Sequence, residues 1–280
     1  MVRKMNFKGS FYPSGKNEIL NFIKKNRNNE ENKKNIKGVI LPHAGWTFSG
    51  KTALLTLSKI KNIEKYKTFI IFGAVHTRYL KKPVLYHEGE WETPLGNIKV
   101  DEQFINKNNF DELFTLNKSL HKGEHSIEVQ LPFLKYLNSD AKIVPISIPH
   151  DLSNIEKYKN FFKNVKNENY IFIASSDLTH YGYRFNYAPK GTDESALNWV
   201  KKEKDRNFID LIKRKKYKKI IPYSNRNNSA CGSGGIALIT AVLENYDVNL
   251  EHYSTSYDEA PGSGHSSFVT YAGISFSEKN

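Results

Sequence analysis

The chain has 280 residues, 39% of them hydrophobic, with a single cysteine and a mean hydropathy of −0.59, so an internal disulfide framework is excluded. No apolar run approaches the roughly 20 residues that a membrane span needs, and the N-terminal stretch lacks the apolar core of a signal peptide. We therefore expect a cytoplasmic protein with no membrane partner, and only the net charge of +13 raises another class, nucleic-acid binding.

Much of the excess positive charge lies in residues 201–219, which hold ten Lys or Arg side chains against three acidic ones. The charges are interrupted at helical spacing by apolar Phe208, Ile209, Leu211 and Ile212. This pattern is typical of an amphipathic helix with a solvated basic face. Since no helix-turn-helix, zinc-finger or RNP pattern accompanies it, nucleic-acid binding ranks last among the functions considered.

Helical and strand patterns alternate along most of the chain. Periodicity predicts helices over residues 16–25, 51–60, 102–109, 121–137, 153–165, 192–216 and 236–243, with a polar loop over 26–35. Pro132 lies inside the fourth of these and predicts a kink or a break near Gln130. Apolar or alternating runs predict strands over 38–41, 68–73, 83–87, 142–148, 170–175 and 266–276, and a turn before another strand within 92–100. The alternation favours an α/β fold with a mainly parallel sheet.

The stretch KGVILPHAGW, residues 37–46, contains the first candidate for a functional site. Residues 38–41 read as a strand buried on both faces, and Pro42 ends it because proline cannot donate to a sheet ladder. His43 is then the first side chain beyond the carboxyl end of the strand, where open α/β sheets bind ligands. A single histidine in such a place is more often a hydrogen-bonded structural residue, so the assignment depends on what accompanies it.

Two further strand exits carry a histidine. His76 follows the strand predicted over 68–73, and His180 follows the one over 170–175 together with Asp177. Parallel strands have their carboxyl ends at one edge of the sheet, so these side chains are expected to converge with His43 on one crevice. Chance placement of nine histidines remains the alternative.

Cys231 adds a different kind of donor. It lies in the small-residue loop SACGSGG, at or just before the start of an apolar helix, where free N–H groups and the helix dipole favour the thiolate. The alternative is a buried cysteine that acts as a small hydrophobic residue. Two imidazoles and a thiolate leave metal coordination positions open, and this donor set suits iron, copper or zinc rather than magnesium or calcium.

The chain resembles the Memo family, called the AmmeMemoRadiSam system protein B family in prokaryotes. The resemblance is carried, in order, by GSFYPSG, LPHAGWTFSG, FIIFGAVHT, ETPLGNIKVD, EHSIEVQLPFL, ASSDLTHYG, ACGSGGIAL and SFVTYAGISF, which span nearly the whole chain. It implies one α/β domain over residues 1–280, with a mainly parallel, mixed sheet flanked by helices, like that of class III non-haem iron extradiol dioxygenases.

The same resemblance implies roles for particular residues. His43 of PHAGW and His76 of GAVHT correspond to the two metal histidines of those dioxygenases, and Cys231 stands where they have a carboxylate. A thiolate changes the charge and redox behaviour of the metal, so dioxygenase activity does not transfer directly.

The implied catalytic residues lie beside these metal ligands. His180 of SSDLTH stands at the position of the catalytic base with Asp177 beside it, and His125 of EHSIE lines the cleft.

Three functions compete for the cleft. The first is a metal-dependent oxidoreductase using iron (Fe²⁺) or copper, with zinc less favoured. The second is a non-catalytic module that receives a peptide or small molecule in a groove lined by Trp46, Phe48 and Tyr181, and proteins of a radical-SAM-associated system are the partners that the resemblance suggests. The third is a cysteine hydrolase, which needs Cys231, His180 and Asp177 within hydrogen-bond reach of one another.

Overall fold

The computed structural model describes residues 1–27, 33–165, 169–260, 262 and 264–279. Part of the polar loop predicted over 26–35, residues 28–32, lies outside the described residues. The extent predicted for the domain, residues 1–280, stays a prediction.

The strands and helices have the following bounds. The strands are β1 (Val2–Arg3), β2 (Ile36–Leu41), β3 (Thr68–Gly73), β4 (Val84–Leu85), β5 (Glu90–Trp91), β6 (Ile98–Val100), β7 (Thr115–Leu116), β8 (Lys142–Ser147), β9 (Tyr170–Ser175), β10 (His180–Gly182), β11 (Asp247–Thr255) and β12 (Ser267–Ser277). The α-helices are α1 (Lys16–Asn26), α2 (Trp46–Ser58), α3 (Glu102–Lys107), α4 (Leu131–Leu137), α5 (Ile155–Lys163), α6 (Glu194–Trp199), α7 (Asp205–Lys213), α8 (Tyr217–Asn227), α9 (Ser233–Val242) and α10 (Ser256–Glu259). A π-helical segment, Val200–Lys204, joins α6 to α7.

One sheet holds these strands in the order β1-β5-β6-β8-β3-β9-β2-β12-β10, with β11 paired to β12 and with β4 and β7 attached beside β8. Strands β8, β3, β9 and β2 are parallel neighbours, and β12 runs antiparallel to β2. The predicted α/β class, with a mainly parallel but mixed sheet flanked by helices, is confirmed. The likeness to the class III extradiol dioxygenase fold stays an expectation from the resemblance.

The position of β9 between β2 and β3 determines where the site forms. All six residues of β3 and of β9 are buried, as expected for continuously apolar strands covered on both faces. The register aligns Leu41 of β2 with Ser175 of β9, so the segments that follow β2, β9 and β3 leave the sheet side by side. The predicted convergence of these three strand exits is confirmed.

The helices predicted over 121–137 and 192–216 are only partly α-helical, and helix α8 and strands β1, β5, β7, β10 and β11 were not predicted. Only Leu131–Leu137 of the helix predicted over 121–137 is α-helical, because Gly123 has a φ of +75° and the chain then makes a short 3₁₀ turn. Pro132 lies in the first turn of α4, where it costs no hydrogen bond. The helix predicted over 192–216 is divided by the π-helical segment. Strand β11 was not predicted because its polar and apolar residues lack a buried run.

The basic segment has the amphipathic structure predicted for it. Phe208, Ile209 and Ile212 are buried, while most of its Lys and Arg side chains are exposed. Lys204 is the exception, since its side chain is buried within the fold. The exposed Lys and Arg side chains form the solvated basic face that the pattern predicted.

Helices pack on the sheet close to the strand exits. Helix α9 lies against β9, α5 and α8, and α2 lies against β11 and β12. At the start of α9, a Cβ on Gly234 would lie 2.0 Å from the carbonyl oxygen of Pro149, so only glycine allows this approach. Among the described residues, no helix combines the length and the hydropathy needed to cross a bilayer.

His121 is a fully buried histidine that ties the segment before α4 to the sheet. Its Nε2 lies 3.1 Å from the carbonyl oxygen of Val84, and its Nδ1 lies 3.2 Å from Oγ of Ser147. Burial, followed by the positive charge of Arg3, lowers the pKa of His121 to about 3.

This pKa predicts a pH dependence of stability. Unfolding restores the ordinary pKa near 6.5, so between about pH 3 and 6.5 the unfolded chain binds one more proton at His121 than the folded chain. The stability therefore rises with increasing pH across this window and is lost as the pH is lowered. We expect His121→Gln to make the pH dependence of the unfolding free energy shallower there by up to about 1.4 kcal/mol per pH unit. Urea titrations at several pH values measure this slope. His87→Gln is the matched control, and an unchanged slope in His121→Gln would contradict the prediction.

Candidate metal centre

His43 is held with one ring nitrogen available for a ligand. Its Nδ1 lies 3.1 Å from Oγ of Ser175, the last residue of β9. That hydroxyl donates its single hydrogen to the carbonyl oxygen of Ser126 at 2.6 Å and accepts from Nε2 of Gln130 at 3.2 Å. Nδ1 of His43 must therefore carry the hydrogen and donate, which leaves a lone pair on Nε2. Burial, followed by the neighbouring histidines, holds the pKa of His43 well below its ordinary value, so the ring is neutral.

His76 is oriented by a carboxylate. Glu124 accepts the backbone N–H of His76 at 2.7 Å through Oε2, and its Oε1 lies 3.0 Å from Nδ1 of the same ring. Oε1 also accepts the backbone N–H of Ser126 at 3.0 Å. Burial disfavours the charged ring, but the hydrogen bonds to Cys231 and Glu124 outweigh it and raise the pKa of His76 to about 10. A carboxylate on Nδ1 is the usual way in which proteins aim Nε2 of a histidine at a metal.

Cys231 brings its sulfur to these two rings. Its Sγ lies 3.1 Å from Nε2 of His43, the nitrogen that carries the lone pair. Backbone contacts hold the loop in place: the N–H of Cys231 lies 3.4 Å from the carbonyl oxygen of Asp177, and the N–H of Gly232 donates to Oγ of Ser176 at 2.9 Å. Cys231 lies two residues before α9, close to the predicted position, and it is partly buried rather than part of the core.

His125 completes a cluster of three imidazoles. Its ring lies 5.1 Å from the ring of His43 and stacks on the ring of His76 at 4.6 Å. Ligand nitrogens of the three residues lie within 4.8 Å of one another. Burial, followed by the charge of His76, lowers the pKa of His125 to about 4, so this ring is neutral at pH 7.

The N-terminal segment covers His125 with aromatic side chains. The rings of Phe7 and Phe11 lie 5.5 and 4.4 Å from its ring. Glu128 holds this segment, because its Oε1 accepts the backbone N–H of Phe7 at 2.8 Å and the hydroxyl of Tyr12 at 2.8 Å. Arg3 pairs with the other carboxylate oxygen at 2.5 Å, so the buried charge is compensated.

Asp177 contacts the loop after β2. Its Oδ1 accepts the backbone N–H groups of His43 at 2.7 Å and of Ala44 at 3.2 Å, and the side chain is buried. Burial raises the pKa of Asp177. A carboxylate oxygen engaged in this way positions the His43 loop. Asp177 also forms a second group of metal donors with His43 and Cys231, again within 4.8 Å.

His180 lies at the wall of an adjoining cavity. Its Nδ1 donates to the carbonyl oxygen of Leu178 at 3.2 Å, which leaves Nε2 as the proton acceptor of the neutral ring. The cavity has a volume of about 480 Å³, and its lining includes Cys231, His150, Phe185 and Tyr187. His180 belongs to neither group of metal donors.

The geometry disfavours two of the sequence-based alternatives. The imidazoles in contact with the Cys231 thiol are those of His43 and His76, and Asp177 is engaged by the His43 loop, so a hydrolytic triad of Cys231, His180 and Asp177 is not assembled. Two of the three aromatic residues expected to line a peptide groove are buried: Trp46 stacks on Phe133 at 3.8 Å, and Tyr181 is inaccessible.

The donor set fits a metal ion. His43, His76, His125 and Cys231 lie near one another and could bind a metal, with two neutral imidazoles, a third aimed by Glu124 and a soft thiol. Sequence reasoning missed Glu124 as a positioning group, although it directly precedes His125 in EHSIE.

Comparisons with known proteins agree on one family. The family model described as Memo-like protein matches residues 3–275. A MEMO1 family protein of Pyrococcus furiosus is 32% identical over 98% of this chain and 98% of its own, and one of Pyrococcus horikoshii is 34% identical over 89% and 91%. An uncharacterized Escherichia coli K12 protein of known structure covers 86% of this chain and 99% of its own at 10% identity, with a TM-score of 0.49, too distant to support an inference.

Replacing Asp177 tests its positioning role. Asp177→Ala leaves the buried N–H of His43 and the N–H of Ala44 without their acceptor, at a cost of about 1–3 kcal/mol for each buried group. Asp177→Asn keeps a carbonyl oxygen in the same place and is expected to retain most of the stability. Urea unfolding of the two variants measures the difference. Equal losses of unfolding free energy in both would contradict the role assigned to the oxygen.

Proposed function

The chain belongs to the Memo-like protein family, and from this premise we propose that its cleft binds a redox metal, iron or copper, through His43, His76 and Cys231 and acts as a metal-dependent oxidoreductase. The observation that carries the proposal is the 3.1 Å contact between Sγ of Cys231 and Nε2 of His43, whose lone pair is directed by the hydroxyl of Ser175. A structural zinc site has four protein ligands, whereas three leave a position for substrate.

The choice of metal follows from the donors. Sulfur and imidazole favour iron, copper or zinc over magnesium or calcium, and zinc is less favoured because it has no redox chemistry. Bound iron or copper would supply electron transfer to or from a substrate. A thiolate in place of a carboxylate changes the potential of the metal, so the reaction need not be that of the extradiol dioxygenases.

Other residues have supporting tasks in this proposal. His180 accepts a proton through Nε2, because its Nδ1 hydrogen is engaged by the carbonyl of Leu178. Phe7 and Phe11 exclude water from the face of His125. The substrate is a small molecule or a peptide end that enters the cavity between His180 and Cys231. The proposal places the protein in the cytoplasm, where a reducing medium keeps the single thiol free.

Metal content tests the proposed ligands. The untagged protein, purified without oxygen, is expected to contain or take up iron or copper in one-to-one ratio, and Cys231→Ala, His43→Ala and His76→Ala are expected to lose it. Plasma mass spectrometry measures the content. His252→Asn, a histidine of β11 away from the cleft, is the matched control. Equal metal content in wild type and Cys231→Ala would overturn the assignment of the thiol.

Glu124→Gln tests the group that aims His76. The amide cannot pair with the ring as a carboxylate does, so affinity for the metal is expected to fall about 10- to 100-fold. Competition with a chelator of known affinity measures the change. Glu92→Gln, a partly exposed carboxylate, is the control. Unchanged affinity in Glu124→Gln would remove His76 from the proposed set.

A further inference from the structure

Lys204 is a buried lysine behind the cavity and has no part in the proposed metal site. It ends the π-helical segment, and only 3% of it is exposed. Its Nζ donates to Oγ1 of Thr179 at 2.6 Å and to the carbonyl oxygen of Asn228 at 3.0 Å, and it lies 3.4 Å from Oγ of Ser229. A buried ammonium group is costly, so these three contacts must compensate its lost hydration.

Asp205 completes the charge pair. The carboxylate is fully buried and accepts the hydroxyl of Thr179 at 2.5 Å and that of Tyr253 at 2.7 Å. The hydroxyl of Thr179 therefore lies between the two charges, accepting from Lys204 and donating to Asp205. Every group in this hydrogen-bond network has a partner in a medium of low dielectric, so the geometry of the network is strongly constrained.

The oxygens that Lys204 contacts belong to the two loops that form the cavity wall. Thr179 directly precedes His180, whereas Asn228 and Ser229 lead into Cys231. Asn228 itself lines the cavity and has a φ of +48°, a conformation that needs support from its surroundings.

The π-helical turn explains why this lysine faces inward. Lys201, in the same turn, pairs with Asp258 at the surface, and Lys202 is exposed. A π turn contains an extra residue compared with an α turn, which changes the face on which the following side chains lie, and such turns are frequent at functional sites.

We propose that Lys204 is a positioning residue of the cleft: by bridging the His180 loop and the Cys231 loop, it sets the distance between the proton acceptor and the thiol. The role of the thiol as a metal ligand rests on the proposed function, whereas the bridge between the loops does not. Lys204→Met keeps the length of the side chain and removes its three polar contacts, so it isolates the bridge.

The first measurement uses Co²⁺ as the probe. Wild type and the control Lys202→Met are expected to show charge-transfer absorption from the Cys231 thiolate to Co²⁺. Lys204→Met is expected to retain His-bound Co²⁺ with this band lost or shifted. General destabilisation alone does not alter the ligand set of the folded protein, so a lost or shifted band reports on positioning. An unchanged band in Lys204→Met would overturn the positioning role.

The second measurement uses the metal-free protein and separates the two proposals. Hydrogen exchange at residues 178–180 and 228–232 is expected to be about tenfold or more faster in Lys204→Met, as loss of hydrogen bonds to a charged group implies, with exchange in β3 unchanged. If wild type shows no thiolate band with Co²⁺, the proposed metal site fails, but the hydrogen-exchange result still tests whether Lys204 bridges the two loops. Exchange that is unchanged in both loops, or that rises equally in β3, would overturn it.

A third variant guards against a failure to fold. Lys204→Met leaves the charge of Asp205 buried without its cation, so Lys204→Met/Asp205→Asn removes both charges together. The double variant is expected to show the same selective exchange in the two loops. Exchange rates in the two loops of the double variant that match those of wild type would overturn the proposed bridging role, as they would for the single variant.

Discussion

The parallel pairing of β2, β9 and β3 is the constraint on which the rest of the structure depends. A parallel ladder places all carboxyl ends at one edge, and the central position of β9 brings Ser175 between the exits of its two neighbours. A slip of one residue in β9 would turn the Ser175 side chain to the opposite face of the sheet. The orientation of His43 would then be lost, although every strand could still pair.

Buried hydrogen bonds convert this proximity into a defined site. The Ser175 hydroxyl has one hydrogen and two lone pairs, and all three are engaged around the ring of His43. Glu124 acts similarly on His76, through one contact to the backbone N–H and one to the ring. Such networks stabilise the site only when they are complete, because a buried polar group left without a partner costs more free energy than a completed hydrogen bond contributes.

Distant parts of the chain hold the outer walls of the cleft. Glu128 ties the N-terminal segment over His125. On the other side, Lys204 and Asp205 lie against the loops that carry His180 and Cys231. Both devices use a buried charge with several hydrogen-bond partners, which fixes direction as well as distance. The cleft thus has an inner layer of possible metal donors and an outer layer of buried charges that contact the segments carrying them.

The sequence by itself determined the buried strands, the strand stop at Pro42, the histidines at the strand exits and the thiol before α9, because these depend on local pattern and spacing. The family resemblance followed from the same local motifs. Only the tertiary structure decided that Asp177 engages the backbone of His43, that Glu124 aims His76, and that Lys204 turns inward from a basic face. It also showed Trp46 and Tyr181 to be part of the core. Most of these groups depend on partners that lie 40 or more residues away along the chain, and local periodicity carries no information about such contacts.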